Sequence, residues 1–362
     1  MKAAVFHGPG DIRVEDVADP STSTDGVVIE VAACGVCGSD VHAYRRGQLV
    51  RPGQVLGHEF SGTVVEVGDE VTGVATGDRV VAMPFSPCQT CASCRSGRPA
   101  LCETAFRRSV ANGLPGGFAD HVAVPGARVG DTIHHLPDHV SDEAGALVEP
   151  LAVGLQAVAQ ADPQPDQVAV VLGLGSVGLA VVHGLRARGV EAIVATDISA
   201  PRLAAARAAG ITVVDGNDGD IEEAVRELTG PGAYGAPAAA DVVFECSGAA
   251  PLLDRAVRMA RMGGRVVMVA LYGQAPPVDA TLVVRKGLRL DGTFGYGGDQ
   301  FAEAVRLLAD GDVDPATLIS HRFALADAAE AFEVQADAST SVKVLVQPGS
   351  PSSRSPSSRS DA

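Results

Sequence analysis

Short apolar runs separated by glycine and proline dominate the first third of the chain. Residues 3–6 (AAVF), 27–33 (VVIEVAA), 61–68 (SGTVVEVG), 78–83 (DRVVAM) and 119–125 (ADHVAVP) are rich in β-branched and other apolar residues. Runs of this length, bounded by turn residues, are typical of β-strands. The pattern predicts a β-rich region over residues 1–130.

From residue 167 onward, apolar strands alternate with alanine-rich helical segments. Residues 179–189 and 200–210 have helical spacing and end at a glycine, as many helices do at their C-terminus. This alternation predicts βαβ units and a parallel sheet. The predicted strands are residues 168–173, 192–197, 212–215, 241–248 and 265–270.

The pattern changes again after residue 296. Residues 301–311 predict a further helix, and residues 321–335 lead to a strand-like run at 341–347. These segments need not belong to the α/β unit, so we expect the chain to return to the first domain. Residues 348–362 are serine, proline and arginine with almost nothing to bury, which predicts a disordered tail.

Composition narrows the class of protein. The chain has 362 residues, more than one hydrophobic core usually serves, so two domains are expected. The net charge of -16 argues against nucleic acid or anionic membrane as a partner, because both attract lysine and arginine. The N-terminus lacks a secretory signal, and no apolar run reaches the roughly 18 residues of a membrane span. We therefore expect a cytoplasmic protein.

Four of the seven cysteines are spaced C-x2-C-x2-C-x7-C on one short segment. Four thiolates suit a tetrahedral zinc that has no open position, which is the character of a structural site. An iron-sulfur cluster is the alternative for such a set, but the rest of the chain gives it no electron-transfer role. We predict that Cys88, Cys91, Cys94 and Cys102 bind a structural zinc.

The segment CGVCGSDVH, residues 34–42, places a thiol, a hydroxyl, a carboxylate and an imidazole close together. Cys37 has candidate partners in His58 and Glu59 of LGHEFSG and in Glu149 of LVEPLAVG. A catalytic zinc takes three protein ligands of these types and keeps one position open. On spacing alone, His58 could equally be an ordinary partly buried histidine, and Glu149 a carboxylate at a helix start.

A glycine-rich segment follows the strand at 168–173 and opens a helix, which is the context of a dinucleotide-binding turn. Asp197 ends the next strand, where a carboxylate bonds the ribose hydroxyls and repels a 2′-phosphate, so NAD is favoured over NADP. Arg202 could stack on adenine or be a solvated helix residue, and it keeps NADP as an alternative. The predicted cofactor-binding residues are Gly173, Gly175, Ser176, Val177, Gly178, Asp197 and Arg202.

Together these motifs resemble those of the zinc-dependent medium-chain alcohol and polyol dehydrogenases. CGVCGSDVH, GHEFSG, the cysteine-rich segment and GLGSVG occur in that family's order, and the similarity covers residues 1–347. The resemblance implies an α/β protein in which a GroES-like β-rich catalytic domain (1–155 and 297–347) is interrupted by a Rossmann domain with a doubly wound parallel sheet (156–296). It also implies an active site in the cleft between the domains, and a homodimer or homotetramer.

Carried over residue by residue, the resemblance makes Cys37 and His58 ligands of a catalytic zinc, with Glu59 as a third or exchanging ligand. Ser39 would bond the substrate oxygen, Asp40 would orient His58, and His42 would pass a proton to solvent. Four residues match no family motif and are expected to be structural or at the surface: Cys34, His134, His135 and His139.

Glu149 departs from the ordinary alcohol dehydrogenases, which have a cysteine there, and resembles the sorbitol, butanediol and threonine dehydrogenases, which have Glu-Pro. The resemblance thus implies a zinc-dependent NAD oxidoreductase that interconverts a secondary alcohol, a vicinal diol or polyol such as 2,3-butanediol, and its ketone. L-Threonine 3-dehydrogenase and sorbitol or cyclitol dehydrogenase are the alternatives. A non-catalytic nucleotide-binding protein is a different class, which the retained zinc-site residues disfavour. Whether Glu149 binds zinc directly or through water stays open.

Overall fold

The computed structural model describes residues 1–232, 235–236 and 238–350, so the predicted disordered tail lies outside the described residues except for 348–350. The chain forms two compact units. Of the described residues, unit 1 comprises 1–149, 305–309 and 319–350, and unit 2 comprises 150–304 and 310–318. The expected bounds are 1–155, 156–296 and 297–347. The helix Val148–Ala161 runs through the division after residue 149, and the helix Gly298–Ala309 runs through the division after residue 304.

Unit 1 is built mainly from strands. Three of them form an antiparallel sheet in the order β2-β1-β4, and seven form a second sheet in the order β15-β16-β3-β5-β6-β8, with β7 paired to β3. All five strands predicted here from the sequence occur. The strands are β1 (Lys2–Gly8), β2 (Asp11–Asp16), β3 (Val27–Gly35), β4 (Gln54–Val55), β5 (Glu59–Val67), β6 (Arg79–Ala82), β7 (His121–Val124), β8 (Ile133–His135), β15 (Ile319–Ala324) and β16 (Lys343–Gln347).

The last part of the chain completes unit 1. β16 pairs antiparallel with β3, with Leu345 opposite Gly35 and Val346 opposite Cys34. Because β3 leads directly into the CGVCGSDVH segment, this pairing brings C-terminal residues next to it. The helices of unit 1 are α1 (Gly38–Arg46), α2 (Ala92–Arg95), α3 (Asp142–Gly145) and α12 (Ala328–Ala336), and α4 (Val148–Ala161) runs on into unit 2.

Aromatic packing anchors α1 in the core of unit 1. Phe332 of α12 is fully buried, and its ring centroid lies 5.3 Å from that of Tyr44 in α1 and 5.2 Å from that of Phe118. The Tyr44 hydroxyl donates to Glu333 Oε1 (2.7 Å), and burial together with Glu333 raises the pKa of Tyr44 to about 12. The C-terminal end of α1 is therefore fixed by the returning chain.

Unit 2 is a parallel α/β sheet whose strand order is β11-β10-β9-β12-β13-β14. The order reverses between β9 and β12, and in open α/β sheets such a reversal opens a crevice for ligands at the carboxyl ends of the strands. The predicted strands and parallel sheet are confirmed. The strands are β9 (Ala169–Leu172), β10 (Ile193–Asp197), β11 (Thr212–Asp215), β12 (Ala240–Glu245), β13 (Ala260–Met268) and β14 (Arg289–Gly292).

Helices connect the strands of unit 2, as right-handed parallel crossovers require. Within the described residues, one helical stretch, 142–161, which comprises α3 and α4, is long and apolar enough to cross a membrane, and 72% of its apolar window is buried within the protein, as in a core helix. The helices are α5 (Ser176–Ala187), α6 (Ala200–Ala208), α7 (Ile221–Thr229), α8 (Ala250–Met259), α9 (Ala280–Lys286), α10 (Gly298–Ala309) and α11 (Pro315–Leu318).

Candidate functional site

Asp40 links two candidate metal ligands in unit 1. Cys37 is the N-cap of α1, with extended backbone at φ -82° and ψ 156°. The backbone N–H of Cys37 donates to Asp40 Oδ2 (3.0 Å), while Asp40 Oδ1 faces His58 Nδ1 at 3.6 Å. Asp40 is buried, so both of its oxygens are directed by these neighbours. The capping of α1 and the orientation of His58 thus depend on the same carboxylate.

Three side chains converge beside this aspartate. Ligand atoms of Cys37, His58 and Glu59 lie within 4.8 Å of one another. Burial lowers the pKa of His58, but Asp40 and Cys37 outweigh it and hold that pKa well above its ordinary value. The raised pKa indicates that this group of side chains favours a positive charge. A thiol, an imidazole and a carboxylate are also the ligand types of a zinc with three protein ligands and one open position. Because Nδ1 faces Asp40, Nε2 is the His58 nitrogen left for a metal.

A buried lysine supports the carboxylate of this group. Lys343 Nζ donates to Glu59 Oε2 (2.5 Å) and to the Val36 carbonyl (3.2 Å), and all of these atoms are in buried residues. Burial lowers the pKa of Lys343, but Glu59, Cys37 and Glu149 raise it by more, so it lies above its ordinary value. The ion pair binds one oxygen of Glu59 and leaves Oε1 for a metal.

Gly35 provides the space for this carboxylate. It pairs with Glu59 across β3 and β5, and a Cβ on Gly35 would lie only 2.1 Å from Glu59 Oε2. Neighbouring Cys34 is fully buried beneath Gly57, as expected for a packing residue, and burial raises its pKa. The glycine inside the CGVC motif is therefore a steric requirement of the Glu59 position.

Glu149 lies near this group but is not one of the three side chains whose ligand atoms come within 4.8 Å of one another. It is the second residue of α4, at the N-terminal end of that helix, and Pro150 follows it. Its carboxylate is close enough to raise the pKa of Lys343. Glu149 therefore belongs to the surroundings of the site through its charge.

Ser39 and His42 lie on α1, three residues apart, a spacing that puts side chains on one face of a helix. Both are exposed, and Ser39 is two residues from Cys37. Partial burial, Arg46 and Arg45, in that order, lower the pKa of His42. His42 is therefore held neutral at physiological pH and can accept a proton.

The four-cysteine segment forms a compact cluster. The sulfurs lie within 4.8 Å of one another, compared with about 3.8 Å between sulfurs of a tetrahedral site with Zn–S bonds of about 2.3 Å. The backbone N–H of Cys88 donates to Cys102 Sγ (3.2 Å), and that of Cys91 donates to Cys88 Sγ (3.3 Å). The donor set and its separations fit a closed zinc site formed by Cys88, Cys91, Cys94 and Cys102.

The protonation of the cluster also suits a cation. Hydrogen bonds from the Thr90 hydroxyl and from the backbone of Thr90 and Cys91 lower the pKa of Cys88 to about 5. Burial and the neighbouring thiol of Cys91 raise the pKa of Cys94 to about 12. Four thiolates this close repel one another, and a divalent cation at their centre removes that repulsion.

In unit 2, each glycine of the GLGSVG turn has a separate steric reason. Gly173 has a φ of +94°, which lets the chain turn sharply after β9. A Cβ on Gly175 would meet only Arg202, at 3.8 Å, so the space before the start of α5 is open. A Cβ on Gly178 would lie 1.9 Å from the Gly173 carbonyl, so this glycine allows α5 to pack closely. Ser176 and Val177 form the first turn of α5. These features fit a pyrophosphate at the helix N-terminus.

Asp197 lies at the carboxyl end of β10, beside this turn. Its Oδ2 accepts from Leu174 N (2.6 Å), and its Oδ1 accepts from Ile198 N (2.8 Å) and Ser199 N (2.9 Å). The buried Ser199 hydroxyl has no hydrogen-bond partner in the described part of the chain. A carboxylate and an orphaned hydroxyl here fit the hydroxyls of a nucleotide ribose.

Arg202 contributes the opposite charge at this position. Its Nη1 lies 3.9 Å from Asp197 Oδ2, and burial lowers the pKa of Arg202. The guanidinium also lies nearest to the open side of Gly175. Arg202 and Asp197 together therefore set the charge that a nucleotide bound at this turn would meet.

Three histidines that match no motif lie apart from these clusters. Their Nε2 atoms lie within hydrogen-bonding distance of backbone carbonyls: His134 with Asp131 (3.3 Å), His135 with Gly73 (3.0 Å) and His139 with Ala309 (3.0 Å).

Four residues that shape the catalytic site were not predicted from the sequence: Lys343, Gly35, Arg45 and Arg46. For Lys343, the sequence contained one signal, a single lysine within the apolar strand SVKVLVQ.

Known proteins share this organisation. Residues 23–138 match the family described as "Alcohol dehydrogenase GroES-like domain", and residues 176–310 match "Zinc-binding dehydrogenase". Sorbitol dehydrogenase of Halalkalibacterium halodurans is 34% identical over 356 residues, which cover 96% of this chain and 99% of that protein. (R,R)-Butanediol dehydrogenase of Bacillus subtilis is 33% identical over 362 residues, which cover 96% of this chain and 100% of that protein.

A solved structure with the same fold contains a bound nucleotide. The crystal structure of a protein described as a zinc-binding dehydrogenase from Sinorhizobium meliloti 1021, bound to NADP, has a TM-score of 0.85 and 31% sequence identity to this chain. The alignment covers 96% of this chain and 99% of that one.

Proposed function

The chain belongs to the zinc-dependent medium-chain alcohol and polyol dehydrogenases, an enzyme family that uses zinc and NAD(P), and we propose that it interconverts a vicinal diol or polyol and its ketone. The leading substrate class is a secondary alcohol with a neighbouring hydroxyl, such as 2,3-butanediol. The observation that carries the proposal is the convergence of Cys37, His58 and Glu59 beside Ser39 and His42.

Cys37, His58 and Glu59 would hold the catalytic zinc, with Asp40 fixing the first two and Lys343 the third. When bound, zinc supplies the Lewis acidity that makes an alcohol hydroxyl easier to deprotonate, and NAD(P) supplies the hydride acceptor. Cys88, Cys91, Cys94 and Cys102 would hold the structural zinc.

The residues of α1 would move the proton. Ser39, at the N-terminal turn, would accept the hydrogen bond of the substrate hydroxyl and take its proton while releasing its own hydroxyl proton toward His42. His42 lies one turn later, and partial burial, Arg46 and Arg45 lower its pKa, so it would accept that proton as a neutral imidazole and pass it to solvent.

The carboxylates near the site support a substrate with more than one hydroxyl. Glu149 stands at the start of α4, close enough to Lys343 to raise its pKa, and a carboxylate there would accept a hydrogen bond from a second hydroxyl of the substrate. The names of the two similar dehydrogenases, which refer to a polyol and a vicinal diol, agree with this class. Sorbitol-like polyols are the second candidate, and L-threonine and cyclitols are the remaining alternatives.

NAD is the proposed cofactor. Asp197 would accept hydrogen bonds from the ribose hydroxyls and repel a 2′-phosphate, whereas Arg202, 3.9 Å away, would attract one. The NADP-bound structure with 31% identity makes NADP the alternative to be tested in parallel.

A homodimer or homotetramer is proposed for the assembled enzyme. β14 is an edge strand that pairs with β13 on one side. Several large apolar side chains near it are exposed, namely Leu271, Val284 and Phe294. Light scattering would distinguish a dimer from a tetramer, and Phe294→Glu should weaken an assembly formed through this edge.

A cytoplasmic location is also proposed. The described cysteines form no disulfide, which supports that location.

The test is NADH and NADPH formation with a panel of alcohols: the 2,3-butanediol stereoisomers, sorbitol, xylitol, L-threonine and simple secondary alcohols. Each assay is run before and after removal of zinc, and with Cys37→Ala. Zinc-dependent turnover of a diol or polyol that is lost in Cys37→Ala is the expected result. Turnover that survives both treatments would contradict the assigned zinc site, and L-threonine as the best substrate would replace the diol proposal.

A further inference from the structure

Glu245 is a fully buried carboxylate at the carboxyl end of β12. β12 and β9 are neighbours in the sheet, with Glu245 opposite Leu172, and the strand order reverses between them. Glu245 therefore lies at the edge where the crevice of an open α/β sheet is found.

The carboxylate folds back on Ser247 and Gly248, the second and third residues after it. Ser247 donates to Glu245 Oε1 from its backbone N–H (2.9 Å) and from its hydroxyl (2.5 Å). Gly248 N donates to Oε1 (3.1 Å) and Oε2 (3.2 Å), and the Ser247 hydroxyl also accepts from Ala249 N (3.0 Å). Within the described residues, backbone amides and a hydroxyl hold this buried carboxyl group.

The turn that Glu245 holds, residues 246–248, touches the glycine-rich turn on one side. Cys246 N donates to the Leu172 carbonyl (2.8 Å), which joins the ends of β12 and β9. A Cβ on Gly173 would lie 2.8 Å from both the backbone N and the Cβ of Ser247. The turn at 246–248 therefore fixes how closely β12 approaches Gly173.

The same turn touches the end of β13 on the other side. Gly248 has a φ of +70°, and a Cβ there would lie 2.8 Å from the Leu271 carbonyl. Val269 N and Ala270 N both donate to the Glu245 carbonyl (2.9 and 3.2 Å). Tyr272 comes two residues after Ala270, and burial and Glu245 raise its pKa. Glu245 and the turn that it holds thus connect the carboxyl ends of β9, β12 and β13.

Burying a carboxyl group is costly, and a simple turn can be made without one. A carboxylate that accepts several backbone N–H bonds fixes their directions strongly, because each of these bonds is charge-assisted. A ligand site needs supporting residues that are held rigidly in place. A turn at such a site is therefore where the free-energy cost of the buried carboxyl group is expected.

We propose that Glu245 is a positioning residue for the cofactor: its carboxylate fixes residues 246–248 as the wall of the NAD(P) crevice between the glycine-rich turn and the end of β13. The proposal rests on NAD(P) binding in unit 2 and needs no knowledge of the alcohol substrate. Glu245 acts through Ser247 and Gly248 and takes no part in the chemical step.

The test compares Glu245→Gln with Asp241→Asn, a matched control at the opposite end of β12. Asp241 Oδ2 accepts from Val168 N (2.8 Å), so both variants remove a carboxylate that holds backbone at the end of the same strand. For Glu245→Gln we expect the Kd for NADH, measured by calorimetry, to rise about tenfold, while the Kd for AMP changes less than about twofold. Asp241→Asn should lower thermal stability and leave the Kd for NADH unchanged.

A purely structural role predicts a different pattern. Equal weakening of NADH and AMP binding, or an unchanged Kd for NADH in a folded Glu245→Gln protein, would overturn the proposal. If that variant does not fold, Ser247→Ala replaces it and should raise the Kd for NADH about threefold, and no change there would also overturn the proposal. If the unsubstituted protein binds NADH but oxidises none of the alcohols tested, the proposed substrate class is refuted, and the role of Glu245 is still decided by the Kd comparison.

Discussion

Lys343 Nζ lies 2.5 Å from Glu59 Oε2, and the two residues are 284 positions apart in the chain and buried together. Glu59 is beside Cys37 and His58, so the ion pair is part of the candidate zinc site. A charge buried this deeply is tolerable only while its partner is present. The stability and the metal affinity of unit 1 are therefore coupled.

Lys343→Met should destabilise unit 1 and alter the zinc site. Loss of one partner of a buried pair costs about 3–5 kcal/mol, because Glu59 is left as an uncompensated buried charge. The added negative charge should also move the pH optimum for alcohol oxidation upward, since it disfavours ionisation of the substrate hydroxyl. Denaturation midpoints and pH profiles measure the two effects.

Lys286→Met is the matched control for that change. Lys286 is buried in unit 2, where its Nζ donates to the carbonyls of Val257 (3.1 Å), Arg258 (2.7 Å) and Ala260 (2.5 Å). Its loss should lower stability with no change in pH optimum. Identical pH profiles for the two variants would refute a role of Lys343 at the zinc site.

The ion pair should persist across the neutral range. Because the pKa of Lys343 is raised in the folded protein, its stabilisation is complete below the ordinary lysine pKa and is lost only as the pH rises through the higher folded value. The difference in stability between wild type and Lys343→Met should therefore be constant from pH 6 to 9 as measured by denaturation. A difference that shrinks within that range would contradict the raised pKa.

Gly35→Ala should displace the Glu59 carboxylate. The new Cβ would lie 2.1 Å from Oε2, and Lys343 prevents the carboxylate from moving away freely. We expect at least about a tenfold loss of kcat, with the structural zinc retained, by metal analysis and kinetics. Gly38→Ala is the control, because a Cβ there would meet nothing within 4 Å. Equal activities of the two variants would show that the space at Gly35 is not needed.

Arg46→Met should shift the acid limb of the pH profile. The pKa of His42 is lowered, first by partial burial and then by Arg46 and Arg45, so oxidation should lose rate only below the ordinary histidine range. Removing Arg46 removes one of the causes that lower that pKa and should move the limb to higher pH. Arg51→Met, at an exposed arginine that does not perturb His42, should leave the profile unchanged. The same shift in both variants would exclude a local effect.

Asp197→Asn should increase the use of NADP relative to NAD. The neutral side chain no longer repels a 2′-phosphate, and Arg202 remains beside it to attract one. We expect the ratio of kcat/KM for NADP to that for NAD to rise on the order of tenfold. Asp215→Asn, opposite Asp197 in β11, is the control and should leave the ratio as it was. An unchanged ratio in Asp197→Asn would remove this residue from cofactor selection.

Cys94→Ala should reduce the zinc content by one ion per chain and lower the thermal stability of the protein. A site of four thiolates loses much of its affinity with one ligand removed. Cys34→Ala is the control, since Cys34 is buried outside both metal clusters and should leave the zinc content unchanged. Retention of both zinc ions in Cys94→Ala would contradict the structural site.

Features encoded within a short stretch could be predicted from the sequence. The strands at 27–33 and 168–173 follow from local apolar patterning, and the four cysteines are close in the chain, so their cluster needs no long-range contact. The turn at Gly173 is likewise local, because its requirement is a backbone angle and space in front of a helix. In each case the relevant atoms are neighbours in both sequence and space.

Other features depend on how distant strands pair. No local signal places Lys343 against Glu59, because the contact exists only once β16 pairs with β3 and β3 pairs with β5. The separation of Glu149 from the three converging ligands depends likewise on where α4 begins. The sequence by itself determined the residue types, the local turns and the family. Only the tertiary structure decided which charges are buried together, because burial and long-range pairing arise from the packing of segments that are far apart in the chain.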